Sequence, residues 1–173
     1  MSPRLRALAP LLAVLTAVLL SGCGSDGTPA GPVAYGARTF DGDAAVSVES
    51  LRGNPALLTS WATWCSVCKT ELPALERLFR ETGPRGLQVV AVNVNAEGPS
   101  YAVRRMASQA GLTMPIWSDP ENAFTGAFRG VGVPTTVLLD AEGRVLRTWQ
   151  GPVDTEDPAT LATIDEALSS EVP

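Results

Sequence analysis

The sequence predicts an α/β sandwich built on a mixed β-sheet. Three observations carry that reading: apolar runs at residues 56–61 and 87–94, amphipathic stretches at 65–80, 101–110 and 158–168 that alternate with them, and a β-hairpin signal across 135–149. At 173 residues and 45% hydrophobic content, the chain can bury one core of ordinary size and hardly two.

Residues 1–22 read as an address. Arg4 and Arg6 precede an almost wholly apolar stretch over 7–20, broken only by Pro10 and Thr16. That is the charged and apolar region of a secretory signal, and it is short for a membrane span. Leu20-Ser21-Gly22-Cys23 then resembles a bacterial lipobox, in which the Cys23 thiol is lipidated and the bond before it is cut. A plain signal peptide with a nearby cysteine, or an uncleaved anchor, is the alternative. Residues 23–34, rich in Gly and Pro, read as a flexible tether, and 35–173 as the globular domain. The expected location is extracytoplasmic, with the lipid holding the chain to a bacterial membrane.

The domain follows element by element. Asp41-Gly42 is a turn between residues 37–40 and 45–48, which gives a small N-terminal hairpin. Residues 56–61 form a buried strand after Gly53-Asn54-Pro55. Leu72, Leu75, Leu78 and Phe79 put a helix over 65–80, with Pro73 as a kink and Gly83-Pro84 as the stop. The valine-rich 87–94 is a central strand, and 101–110 a helix closed by Gly111. A brief strand at 115–117 and a helix at 122–128 come next. Asp140-Ala141-Glu142-Gly143 turns a hairpin between 135–139 and 145–149. The last helix, 158–168, has Asp157 as N-cap and Pro158 in its first turn.

Composition excludes much chemistry. There is no histidine, so Ser-His-Asp and Cys-His catalysis, histidine-ligated metals and haem are all ruled out. Lys69 is the one lysine, and a net charge of −5 without a basic cluster argues against nucleic acid. What remains is Trp61-Ala62-Thr63-Trp64-Cys65-Ser66-Val67-Cys68-Lys69. A CxxC at a strand-to-helix junction places its first thiol at the helix N-terminus, where free N–H groups and the macrodipole favour a thiolate. A cysteine so placed can fall from about 8.5 to between roughly 3.5 and 7.5 in pKa. Cys65 would then attack a substrate disulfide and Cys68 resolve the mixed disulfide. Half a zinc site and an inert structural disulfide are the competing readings. Zinc needs about four ligands, and the mature fold, beyond the lipidated Cys23, offers no further cysteine or histidine. A haem-attachment motif fails because Lys69 stands where histidine is required. No metal and no cofactor is expected.

These residues, with Leu51-Arg52-Gly53-Asn54-Pro55 before them and Val133-Pro134-Thr135-Thr136 some 65 residues later, resemble the thioredoxin superfamily. More closely they resemble its exported, membrane-tethered TlpA/ResA-like thiol-disulfide oxidoreductases, over about residues 35–168. The resemblance implies a thioredoxin-like three-layer sandwich with a mixed central sheet, an N-terminal β-hairpin and a C-terminal helix. It also implies Cys65 as nucleophile, Cys68 as resolving thiol and Trp64 as part of the docking surface. Pro134 would be a cis-proline facing the CxxC, and Val133 would offer backbone hydrogen bonds to a substrate segment. An ordinary trans proline is the alternative, since only about 5–6% of X–Pro bonds are cis. The implied partners are a transmembrane thiol reductant and disulfide-bearing exported proteins such as apocytochrome c.

The sequence departs from the family in three places. Thr59 stands where cytosolic thioredoxins carry a buried aspartate, and Ser66-Val67 matches neither thioredoxin's Gly-Pro nor the periplasmic oxidant's Pro-His. Glu97 follows the 87–94 strand one residue later than the glutamate that ResA-like members use to tune their cysteines, so a solvated loop residue competes with a catalytic role there. Two other classes, a copper-handling Sco-type protein and a peroxiredoxin, need CxxxC with a histidine or a PxxxTxxC context, and neither is present. Within the oxidoreductase class, the resemblance favours a reductant; an oxidase or isomerase is the alternative.

Overall fold

The computed structural model describes residues 31–96 and 100–170. In chain order the elements are β1 (Gly36–Thr39), β2 (Ala45–Ser47), a 3-10 turn (Val48–Leu51), β3 (Ala56–Trp61), α1 (Ser66–Thr82) and β4 (Gln88–Asn93). Then follow α2 (Ser100–Gln109), β5 (Ile116–Ser118), α3 (Ala123–Phe128), β6 (Thr135–Leu139), β7 (Val145–Gln150) and α4 (Pro158–Ser169). The strands form one mixed sheet in the order β2-β1-β5-β4-β3-β6-β7.

The centre of that sheet is the expected one. All six residues of β3 and all five of β6 are buried, as is β4 after Gln88. Strands covered on both faces read as unbroken apolar runs, which is why the sequence shows them without alternation. β3 pairs parallel with β4, from Ala56↔Gln88 to Trp61↔Asn93, and antiparallel with β6, from Ala56↔Leu139 to Thr59↔Thr136. The carboxyl ends of β3 and β4 therefore meet the amino end of β6 along one edge, the usual location of sites in open α/β sheets. Polar residues gather near that edge. Thr136 Oγ1 donates to Thr59 Oγ1 at 2.9 Å, and Ser60 Oγ accepts the Thr135 N–H at 2.9 Å.

The N-terminal hairpin does more than the sequence indicates. β1 pairs with β2 and also with β5, Arg38↔Ser118 and Thr39↔Trp117, so it extends the main sheet. Behind this edge Tyr35 packs on Trp117, Phe124 and Phe128. Its hydroxyl donates to Asp119, whose carboxylate also accepts the N–H groups of Ala123 and Phe124 and so fixes the start of α3. Burial, reinforced by the Asp119 charge, raises the phenol's pKa well above its ordinary value.

Helix ends show where local signals hold. Asp157 caps α4 by accepting the Thr160 N–H at 2.9 Å. At the end of α1 the expected stop, Gly83-Pro84, instead begins a further 3-10 turn over Gly83–Arg85, because Gly83 keeps a right-handed backbone. The left-handed residue that turns the chain is Gly86, at φ 105°. α1 itself runs on through Pro73. In the β6–β7 hairpin Asp140 Oδ1 accepts from the N–H groups of Glu142 and Arg144, and Gly143 takes φ 83°. Val33 N donates to Gly143 O at 2.9 Å, which places the start of the described chain at the sheet end opposite the β3 carboxyl end. No helix among the described residues is long and apolar enough to cross a membrane.

Candidate active site

β3 ends at Trp61, and Ala62-Thr63-Trp64 carries the chain into α1 with Cys65 as its N-cap. Cys65 takes an extended backbone, and its Sγ accepts the Cys68 N–H at 3.1 Å. That N–H is one of the orphan donors of the first helical turn, so the cap and the dithiol are one device. Cys65 and Cys68 are joined in a disulfide with Cα atoms 5.4 Å apart. On reduction, the same N–H and the helix dipole face whatever charge develops on Cys65.

Cys65 is 6% exposed and Cys68 is 0% exposed. Both cysteines are buried in the oxidised protein, and Cys65 is far more covered than a freely exposed thiol. Part of that cover comes from the loop before β6. The Val133–Pro134 peptide bond is cis, and the Val133 carbonyl oxygen lies 3.8 Å from Cys65 Sγ. Trp64 and Val67, flanking Cys65 in the chain, and Val131, just before the cis-proline, are exposed apolar residues at 67%, 46% and 83%. Gln150 braces the loop from β7: its Oε1 accepts the Val131 N–H at 3.0 Å, and its Nε2 donates to Arg129 O at 3.1 Å.

Thr59 is buried and bonded to Thr136, so no carboxylate stands at that position. Glu97 and Cys23 lie outside the described residues. The structure instead brings a glutamate that the sequence reading missed. Glu71 sits on α1 one turn beyond Cys68 and is 6% exposed. Its Oε1 accepts the Val153 N–H at 2.7 Å. Burial pushes its carboxyl up to about 7, against a smaller downward pull from the Val153 bond. It opens on a depression of about 390 Å³ whose walls include Val67, Pro152, Asp154 and Glu156. One signal was available in the sequence: Glu71 falls three residues after Cys68 and next to Leu72, on the inward stripe of the helix. Among the described residues no group of three or more His, Cys, Asp or Glu side chains is placed to hold a metal ion.

Comparison with known proteins agrees with this geometry. Over 107 residues the chain is 36% identical to the thiol-disulfide oxidoreductase ResA of Geobacillus thermodenitrificans, covering 61% of this chain and 60% of that protein. The chain thus spans about 60% of the length of the curated relatives it matches. The crystal structure of StoA from Bacillus subtilis superposes with a TM-score of 0.61 at 28% identity, over 74% of this chain and 95% of that one. A DsbF homologue from Corynebacterium diphtheriae shares the fold, with a TM-score of 0.68 at 23% identity over 82% of this chain and 88% of its own. The Redoxin family matches residues 27–168, a span that takes in the whole sheet, the CxxC and the cis-proline loop. By that match and its thioredoxin-like architecture, the chain belongs to the Redoxin family, on the ResA-like side of the thioredoxin superfamily.

Proposed function

We propose that this protein is an extracytoplasmic thiol-disulfide oxidoreductase that reduces disulfides in exported proteins. The observation that carries the reading is the Cys65–Cys68 couple at the α1 N-terminus, with Cys65 Sγ as the cap and the Val133 carbonyl beside it. Likeness to ResA supports the same chemistry.

In the reduced protein the Cys65 thiolate attacks one sulfur of the substrate disulfide. A mixed disulfide forms and the first substrate sulfur leaves as thiolate. Cys68 then loses its proton and attacks Cys65 Sγ, breaking the mixed disulfide and releasing the second thiolate. Two electrons pass to the substrate and the protein is left as the Cys65–Cys68 disulfide. Glu71, one turn from Cys68 and with a carboxyl near neutrality, is the group suited to take the Cys68 proton. A dithiol donor restores the reduced form. The Trp64, Val67 and Val131 surface offers apolar contact to a substrate segment lying along the Val133–Pro134 loop.

The signal-like leader and Cys23 support a lipid-anchored location. The described domain begins at the sheet end opposite the dithiol, where Val33 N bonds Gly143 O, an arrangement compatible with an anchor at Cys23 and an accessible site.

The test is trapping. Cys68→Ser should accumulate a covalent complex with a disulfide substrate that reducing agent dissolves, and Cys65→Ser should accumulate almost none. Equal trapping, or trapping by Cys65→Ser alone, overturns the assigned roles. Direction is read from the reduction potential: near about −270 mV the couple is a reductant, whereas a value near about −120 mV makes it an oxidant.

A further inference from the structure

We infer that Asn95 is a positioning residue for Cys65, a hydrogen-bonded clamp on the turn that presents the nucleophile. The inference rests on the oxidoreductase reading and adds to it a residue outside the CxxC, its helix and the cis-proline loop.

The turn has a mechanical difficulty. Between β3 and α1 the chain must change direction within Ala62-Thr63-Trp64 and still deliver Cys65 in cap geometry. Its largest side chain gives no anchorage, because Trp64 is 67% exposed. Among the described residues, the turn's own backbone closes with the Cys65 N–H to Ala62 O bond, at 3.1 Å. The rest of the hold comes from across the sheet edge. Asn95 Oδ1 accepts the Thr63 N–H at 2.9 Å, and Asn95 Nδ2 donates to Thr63 Oγ1 at 2.8 Å. One carboxamide thus grips the backbone and the hydroxyl of a residue two positions before the nucleophile. Its orientation is fixed chemically, since a backbone N–H can only donate and so must face Oδ1.

Asn95 is itself held. Asn93 Nδ2 donates to Asn95 Oδ1 at 3.0 Å and to Trp61 O at 3.4 Å. Asn93 is 3% exposed, and its backbone pairs with Trp61 at the end of the β3–β4 ladder. Val94 N adds a bond to Trp61 O at 2.9 Å. The network therefore runs from the rigid core of the sheet, through two carboxamides, to the turn. A buried polar chain of this kind is stiff only while every member is satisfied. Its function follows from what lies at its far end. Cys65 Sγ must keep its place, 3.1 Å from the Cys68 nitrogen and 3.8 Å from the Val133 carbonyl oxygen, while a substrate sulfur arrives in line. Small misplacements of a reacting group carry large rate penalties.

The experiment uses the full chain, reduced, with Asn95→Ala and Asn95→Asp beside wild type. Two readouts are taken: disulfide exchange with glutathione disulfide, and the pH dependence of Cys65 alkylation. Asn95→Ala should lower the exchange rate about tenfold, in kcat more than in KM, and move the alkylation midpoint upward. Asn95→Asp keeps both bonds to Thr63, since a carboxylate accepts from the N–H and from the hydroxyl, and should restore kcat to within about threefold of wild type. A wild-type rate and an unmoved midpoint in Asn95→Ala overturn the inference. So does an Asn95→Asp as slow as the alanine variant, which reduces Asn95 to a structural role. The alkylation profile needs no substrate, so it tests the clamp separately from whether the wild type reduces disulfides at all.

Discussion

Glu71→Gln removes one ionisable proton and leaves the shape of the side chain and its acceptor for the Val153 N–H in place. Its consequence for stability can be worked from the structure. Burial holds the Glu71 carboxyl at about 7, against an ordinary value of 4.5. At about 1.4 kcal/mol per pH unit that gap corresponds to about 3 kcal/mol. The folded state binds this proton more tightly than the unfolded chain does. The contribution is therefore fully present below about pH 4.5 and is lost as pH rises through about 7. The glutamine variant has nothing to lose. Urea denaturation of the oxidised proteins should give nearly equal stabilities at pH 4.5 and a glutamine variant about 2–3 kcal/mol more stable at pH 8. The same substitution should leave capture of a substrate disulfide at Cys65 intact while slowing release by Cys68 about a hundredfold, the lower end of what general-base catalysis contributes. Parallel stability curves from pH 4.5 to 8 would refute the buried-carboxyl argument, and with it the assignment of Glu71 as the base.

Two further substitutions probe the frame around the site. Glu76 is buried on α1 and accepts from Thr113 Oγ1, Thr113 N, Arg80 Nε and Met114 N, at 2.5 to 3.1 Å. Burial alone would raise its carboxyl, but these donors outweigh it and the pKa falls. Glu76→Ala should cost about 3 kcal/mol in denaturant unfolding at pH 7, because buried N–H groups lose their acceptor. With a lowered folded pKa, the Glu76 contribution is present above the ordinary carboxylate range, so the difference from wild type should shrink as pH falls below about 4. Gly143→Ala should lose about 2 kcal/mol in the same assay, since φ is 83° and the added Cβ would lie 2.9 Å from Val48 Cγ1.

The sequence makes plain those parts of the molecule that depend on neighbours in the chain. The turn Asp140-Ala141-Glu142-Gly143 is specified by its own side chains, and the cap of α4 by Asp157, so both stand as expected. The CxxC is legible because its chemistry lies within one helical turn. The missed features depend on segments far apart in sequence. Glu71 becomes a buried acid only because Val153, 82 residues later, folds over it. On a surface helix the same residue would be a solvated charge, and the sequence directs attention to Glu97 instead. β5 has three residues and no strong periodicity, yet it joins the hairpin to the central strands. Cys65 is more covered than its helix-terminal position suggests because the Val133 loop, 68 residues away in the chain, closes over its sulfur.

That cover bears on how a partner is engaged. With Cys65 only 6% exposed, its sulfur lies between the turn that carries Trp64 and the Val133–Pro134 loop, whose Val133 carbonyl is 3.8 Å away. These two segments are held by different carboxamides: Asn95, two residues beyond β4, grips the turn before Cys65, and Gln150 from β7 grips the loop before Pro134. Gln150 stands on β7 and Asn95 is tied to β4 through Asn93, while the Ser60–Thr135 bond joins β3 to β6. Exposed apolar groups are thus carried on segments that carboxamides bond to the sheet. On the proposed function, exposed Trp64, Val67 and Val131 offer a substrate segment apolar contact without strict shape, while the bonds to the Cys65 turn and the Pro134 loop keep the reacting sulfur in register.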